Sequence, residues 1–150
     1  LEQSLDVRRE LRHAIASVYQ ATDQFDDCLR LLSAPAAAAE AAVATPTQQA
    51  DLAIIQANCH FAQDQREQAW ALLDAAERTL AGQHDAAADR LRAALLVERG
   101  EISYVAGKLQ ESNDYMRAAL ALGASDDHRE QAYSAYRQLA FNLWATKNYS

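Results

Sequence analysis

Residues that interrupt regular structure are scarce in this chain. Its 150 residues include four Gly and two Pro, which leaves little turn chemistry for a fold of many short strands. Basic residues are also in the minority: Lys and Arg total 14 against 21 Asp and Glu, a net charge of −7. That balance argues against nucleic acid or an anionic membrane surface as the main partner. No apolar run approaches the roughly 18 residues needed to cross a bilayer, so no direct membrane insertion is expected. The Ala-rich stretch from Pro35 to Ala44 is itself broken by Glu40. Two cysteines are too few for a disulfide framework. Cys28 and Cys59 each fall at a small apolar position of a helical pattern, where a free thiol behaves as a small buried hydrophobe. A bond between them would instead favour an oxidising compartment such as the periplasm. No signal-peptide pattern is present, and the chain opens on one helical pattern and stops within another. We therefore read it as a piece cut from a longer protein.

What is abundant is helix-forming sequence: half of the residues are apolar and alanine is prominent. In a chain of this length, that composition suits one domain with a real core. Leu11, Ile15, Val18 and Tyr19 recur at helical spacing in a first helix over about 5–21. A second helix starts near Phe25 and continues through the Ala-rich run, with a disturbance at Pro35. Thr45-Pro46-Thr47-Gln48 has the form of a capping box followed by an N-terminal proline, and starts a third helix reaching about Ala62. Further helices are expected over about 66–81, stopped by Gly82, over 85–106, and over 109–122, stopped by Gly123. Ser125-Asp126-Asp127 would cap a seventh running to about Thr146, and Asn148-Tyr149 would begin an eighth. Short corners such as Gln63-Asp64-Gln65 can only reverse the chain, so the helices pair as antiparallel hairpins over about 5–44, 46–81 and 85–122, with a truncated repeat over 126–150.

The hairpins repeat one another. A small residue recurs in each first helix at Ala16, Ala57, Gly100 and Ala140, at spacings of 41, 43 and 40. The second helix starts nine residues later, at Phe25, Arg66, Leu109 and Tyr149. Another small residue follows at Cys28, Ala69 and Ser112, then a large one at Leu32, Leu73 and Met116, then Pro35, Ala76 and Ala119. Two helices approach closely only where side chains are small, and the large neighbour fills the groove alongside. This pattern resembles the tetratricopeptide repeat (TPR) family, with Tyr19 as its aromatic, Gly107 as its corner glycine, and Ala57, Ala69 and Ala76 as its small set. The period is longer than the roughly 34 residues of the standard repeat, which resembles its long-helix variant. Pro35 and Arg66 depart from the family pattern. The resemblance implies an all-α fold, a right-handed superhelical stack of about seven helices. Its style is similar to arrays attached to bacterial sensor kinases, including serine/threonine kinases, and to transcription regulators. The two Lys against twelve Arg fit a GC-rich bacterial genome.

No catalytic motif stands out. Gly100 to Lys108 ends in Gly-Lys, but its glycines are too far apart for a phosphate loop, and Leu109 stands where a magnesium-binding Ser or Thr would follow. Asp126, Asp127, His128 and Glu130 read as a capped, solvated first turn rather than a metal site, because consecutive helical residues point different ways. We expect no metal, no cofactor and no enzymatic activity.

The most suggestive positions lie four residues after each small residue: Gln20, Phe61, Tyr104 and Trp144. One turn back stand Ser17, Asn58, Glu101 and Phe141, a set consistent with a partly solvated face. In the TPR family the first helices line a concave groove. The resemblance therefore implies that Phe61, Tyr104 and Trp144 anchor a peptide or partner helix, with Asn58 as a polar contact matching the family's groove asparagine; Arg137 is a separate candidate contact for an anionic group. Packing between hairpins as core is the competing role for those rings, and an ordinary solvated arginine is the competing role for Arg137. Trp70 lies off the small-residue seam, as a dimer anchor or a half-buried ring.

The expected function is a non-enzymatic protein-interaction module of a larger bacterial signalling protein. The alternative is a domain sensing a ligand or envelope signal that regulates an attached kinase or transcription regulator. A cytoplasmic setting is the default and a periplasmic one the alternative. Exposed repeat ends would allow a homodimer.

Overall fold

The computed structural model describes residues 2–122 and 129–149, with side chains described over 4–122 and 129–147. The expected stop at Gly123, the cap at Ser125-Asp126-Asp127 and the acidic group with His128 lie outside these residues.

The described chain is all-α, as expected. Its helices are α1 (Glu2–Ala21), α2 (Phe25–Leu32), α3 (Pro35–Ala42), α4 (Pro46–Ala62), α5 (Arg66–Leu80), α6 (Ala86–Val105), α7 (Leu109–Ala121) and α8 (Arg129–Tyr149). The disturbance at Pro35 is a full break. Ala34 is extended, with φ −62° and ψ 143°, and Pro35 opens α3 from its first turn. Proline crowds the residue before it out of the helical region and suits a first helical position, where its missing N–H costs nothing. One expectation is corrected at the other end: Asn148 and Tyr149 extend α8 rather than beginning another helix.

The capping box at Thr45 forms as written in the sequence. The Gln48 N–H donates to Thr45 Oγ1 at 3.3 Å, and the Thr45 N–H donates to Gln48 Oε1 at 2.9 Å. The three hairpin corners share one conformation. Asp23, Asp64 and Gly107 have positive φ of 58°, 60° and 77°. In each, the next residue's N–H reaches back five residues: Gln24 to Tyr19, Gln65 to His60 and Lys108 to Ser103. This is a Schellman ending, which satisfies the last carbonyls of one helix while turning the chain into the next. Aspartate tolerates the left-handed conformation better than most residues, so it serves at two of the three corners.

The chain divides into two compact units, Leu1–Gln83 and His84–Ser150. In the first, α1 packs on α2, α3 and α4, α2 packs on α4, and α4 pairs with α5. Its core includes Ala16, Cys28, Ile55 and Cys59, with Tyr19, Phe25 and Leu32 packed around them. Here the expectation of free thiols is corrected: Cys28 and Cys59 form a disulfide, with Cα atoms 6.7 Å apart. Both cysteines are fully buried, as expected of their small apolar positions. The bond joins α2 to α4 across helices that the hairpin pattern sets side by side. α3 is held differently. Glu40 is 2% exposed and accepts from Arg12 Nε at 2.6 Å and Nη2 at 2.9 Å, while Arg12 Nη1 donates to the Leu31 carbonyl at 2.8 Å. The two-pronged pair with Arg12 holds the Glu40 carboxyl below the usual carboxylate range, outweighing the opposing effect of burial.

In the second unit α6 pairs with α7, and α8 packs on both. Val97, Met116, Ala119 and Ala135 form a core cluster, flanked by Leu96, Leu120 and Leu139. The expected small-against-large seam is present. A Cβ on Gly100 would lie 2.5 Å from Met116 Cε, so α6 and α7 approach too closely there for a side chain without displacing the methionine. The seam positions Ala57, Ala69, Ala76 and Leu73 of the second hairpin are likewise buried. Ala140, the fourth first-helix position, is instead exposed.

Two outcomes follow. The disulfide closes a loop with a sequence separation of 31. Cys28→Ala/Cys59→Ala should therefore lower the free energy of unfolding by about 3–4 kcal/mol, as read from urea melts; equal midpoints would show that the bond adds no stability. Gly107→Ala should cost about 1 kcal/mol because of its positive φ, whereas Gly82→Ala, with open space around it and ordinary φ, should be neutral or slightly stabilising. Equal losses at both glycines would contradict the corner geometry.

Candidate functional site

The aromatic residues singled out by the repeat are divided between the units. Phe61 lies on α4 in the first unit, half-buried, and so does Asn58. Tyr104 and Trp144 both lie in the second unit, and here the structure joins them through a residue the repeat had grouped with polar positions. Phe141 meets Tyr104 edge-on, with ring centroids 5.5 Å apart, and meets Trp144 at 5.8 Å in a tilted pair. Edge and tilted arrangements set the positive rim of one ring against the negative face of another. The cluster remains at the surface: Phe141 is 46% exposed and Trp144 52%. Tyr133, Tyr136 and Leu143 add further exposed apolar surface on the same helix.

What turns these rings outward is a polar knot on the opposite side of α8. Asn142 is fully buried. Its Nδ2 donates to Ser112 Oγ at 3.1 Å and to Asn113 Oδ1 at 2.8 Å on α7, and its Oδ1 accepts from Gln138 Nε2 at 2.8 Å. Successive residues of a helix are rotated by about 100°, so with Asn142 facing α7, Phe141 is carried to one side and Trp144 away from α7. Ala135 and Leu139 pack on the Met116 cluster and hold the same rotation.

Two charged groups border the rings. Glu101 stands one turn before Tyr104 on α6, and Arg137 one turn before Phe141 on α8. Burial pushes the Glu101 carboxyl above its ordinary range, and the positive charge of Arg137 pulls it partly back. Arg137 itself is exposed. The patch is thus an aromatic surface with an exposed cation and a half-buried carboxylate at its edge. It has a place for an apolar side chain of a partner and for a polar or anionic group beside it. Trp70 is half-buried on α5.

No group of three His, Cys, Asp or Glu side chains that could hold a metal ion occurs among the described residues. No described helix is long and apolar enough to cross a membrane. No family model, curated protein or solved structure matches this chain, so the TPR resemblance rests on its own residues.

Of the candidate residues, Tyr104 and Trp144, selected by spacing, and Arg137, selected as a possible anion contact, belong to this patch. Phe141, Tyr133, Tyr136 and Leu143 were missed. Their signal was the density of aromatics in the last helix, where Tyr133, Tyr136, Phe141, Trp144 and Tyr149 gather although aromatics are 7% of the chain.

The raised Glu101 gives a pH test with a definite sign. A carboxyl that titrates higher when folded opposes folding once it is ionised, and this opposition fades as pH falls through the raised value toward the ordinary one. Glu101→Gln should therefore raise Tm at pH 7, and the gain should shrink on acidification toward pH about 4. A gain that stays constant across this range would assign the effect to packing rather than to charge.

Proposed function

We propose that this chain is a non-enzymatic protein-interaction module, built of TPR-like hairpins, that receives a partner helix or peptide on the aromatic face of α8. The observation that carries this reading is where exposed apolar surface collects. Of the ten large hydrophobic side chains exposed among the described residues, Tyr133, Tyr136, Phe141, Leu143 and Trp144 make up half, all on one helix. Exposed apolar surface concentrated on one element and bordered by polar groups marks interaction surfaces. Tyr and Trp are the side chains that most often dominate binding energy. Arg137 would meet a carboxylate or carbonyl of the partner, and Tyr104 would support Phe141 from behind. Phe61 and Asn58 belong to the first unit.

Four other exposed side chains, Val7, Leu11, Ile15 and Val18, fall on one face of α1. They keep self-association through repeat ends as the competing use of such surface. The buried disulfide favours an oxidising, extracytoplasmic setting over the cytoplasmic default, because such bonds persist where thiols are not kept reduced. This agrees with a module attached to an envelope-spanning bacterial signalling protein.

A photo-crosslinking amino acid at Trp144, in the disulfide-intact chain, should capture a distinct protein. Tyr136→Ala with Phe141→Ala should reduce the yield about tenfold or more while the helical signal is retained. Capture of the chain by itself alone would make the patch a self-association surface. Capture that ignores the two substitutions, or that occurs equally from a crosslinker at Trp70, would sink the reading.

A further inference from the structure

The first unit contains a half-open cleft of about 340 Å³ between α1, α3 and α4, with Ala38, Ala41 and Gln49 of its lining exposed. This volume lies at the lower end of small-molecule sites, which run from about 300 to 1,000 Å³. Its origin is in the sequence. α3 is almost entirely alanine, and Ala37, Ala38 and Ala41 line the space without filling it. Ala53 and Leu52 close it from α4.

Arg12 and Glu40 are the charged side chains among the described residues that line the cleft, and Ser33, Gln49 and Gln56 line it as well. Their charges offset each other through the two-pronged contact, and Arg8 and Arg9 add positive charge that Glu40 feels from outside the lining. Arg12 has five N–H groups, of which three are directed at Glu40 and the Leu31 carbonyl. Each Glu40 oxygen accepts one of these bonds and retains a lone pair. The pair therefore offers donor and acceptor capacity side by side in the cleft. A carboxylate entering it would face Glu40, and an ammonium would face Arg12. A neutral group that both donates and accepts would meet a partner for each role, and burying it without such partners would be costly.

We propose that this cleft binds a small neutral molecule with an apolar body and an amide or hydroxyl end. The site is separate from the aromatic patch of α8 and does not depend on that patch binding a protein.

The test uses hexanamide as the probe, with hexanoate and hexylammonium as charged controls, titrated into the disulfide-intact chain and followed by amide NMR. Hexanamide should shift the Ala37, Ala41 and Ala53 resonances saturably, with Kd of about 1 mM, and both ions should bind about tenfold more weakly or worse. Ala53→Leu, which places bulk in the cleft, should abolish the shifts. Glu40→Gln leaves the Arg12 charge uncancelled and should reverse the order, with hexanoate binding better than hexanamide. Each variant is first checked for retained tertiary structure, and either one suffices if the other does not fold. No saturable shift with hexanamide at about 10 mM, equal binding of the three probes, or an order unchanged in the folded Glu40→Gln variant would overturn the proposal.

Discussion

Close approach of two helices along a seam of small side chains is the constraint on which this structure rests. The corners leave no room for a gradual reversal: a helix ends in one left-handed residue, at Asp23, Asp64 or Gly107, and the next helix begins two residues later. Helices joined so tightly must lie side by side, and they can do so only if the positions between them are narrow. Ala16 with Cys28, Ala57 with Ala69, and Gly100 with Ser112 supply those positions, and all are buried. The large residue beside the seam then becomes the core, as Leu73 and Met116 do, each fully buried.

A seam of this kind holds helices close but removes little apolar area per residue, so other forces must fix one hairpin against the next. The repeat assigns that task to one pair of positions. Cys28 is the second small residue of the first hairpin, and its disulfide partner Cys59 lies two residues beyond Ala57. Ser112 is the second small residue of the third hairpin, and Asn142, which donates to it, lies two residues beyond Ala140. The two units thus join α2 to α4 and α7 to α8 through equivalent residues, once by a covalent bond and once by a buried hydrogen bond. That equivalence supports reading α8 as the first helix of a fourth copy. It also accounts for the Arg12–Glu40 pair: α3, cut off from α2 by Pro35 and made of alanine, has little apolar surface to hold it to α1.

The helices, their corners and the buried seam were legible because they follow from local rules: periodicity, capping and the need for small residues where helices meet. The links between hairpins were not. Cys28 and Cys59 looked like two unremarkable small positions because nothing local says which helix faces which. Glu40 read as a charge interrupting an apolar run, and only the turn at Pro35 brings it beneath Arg12. The candidate site was half legible. Tyr104 and Trp144 followed from the repeat, but Phe141 sits at the position of Ser17, Asn58 and Glu101 and was grouped with polar residues. Its role depends on the rotation of α8, which buried Asn142 sets from the far side.

That rotation bears on what could cover α8. In the earlier first helices the small seam residue is buried against a second helix; in α8 the equivalent Ala140 faces outward, with Tyr136 and Leu143 exposed on the same helix. A slip that buried the rings would pull Asn142 away from Ser112 and Asn113 and leave their polar groups without those bonds. The outward aromatic face is therefore a consequence of the same interaction that fixes α8 to its hairpin. A narrow position flanked by large apolar side chains is the form of surface on which every earlier hairpin in this chain seats a helix. On the proposal that α8 receives a partner, a helix would fit this surface better than an extended segment, because it could place its own large side chains beside Ala140, as Met116 lies beside Gly100.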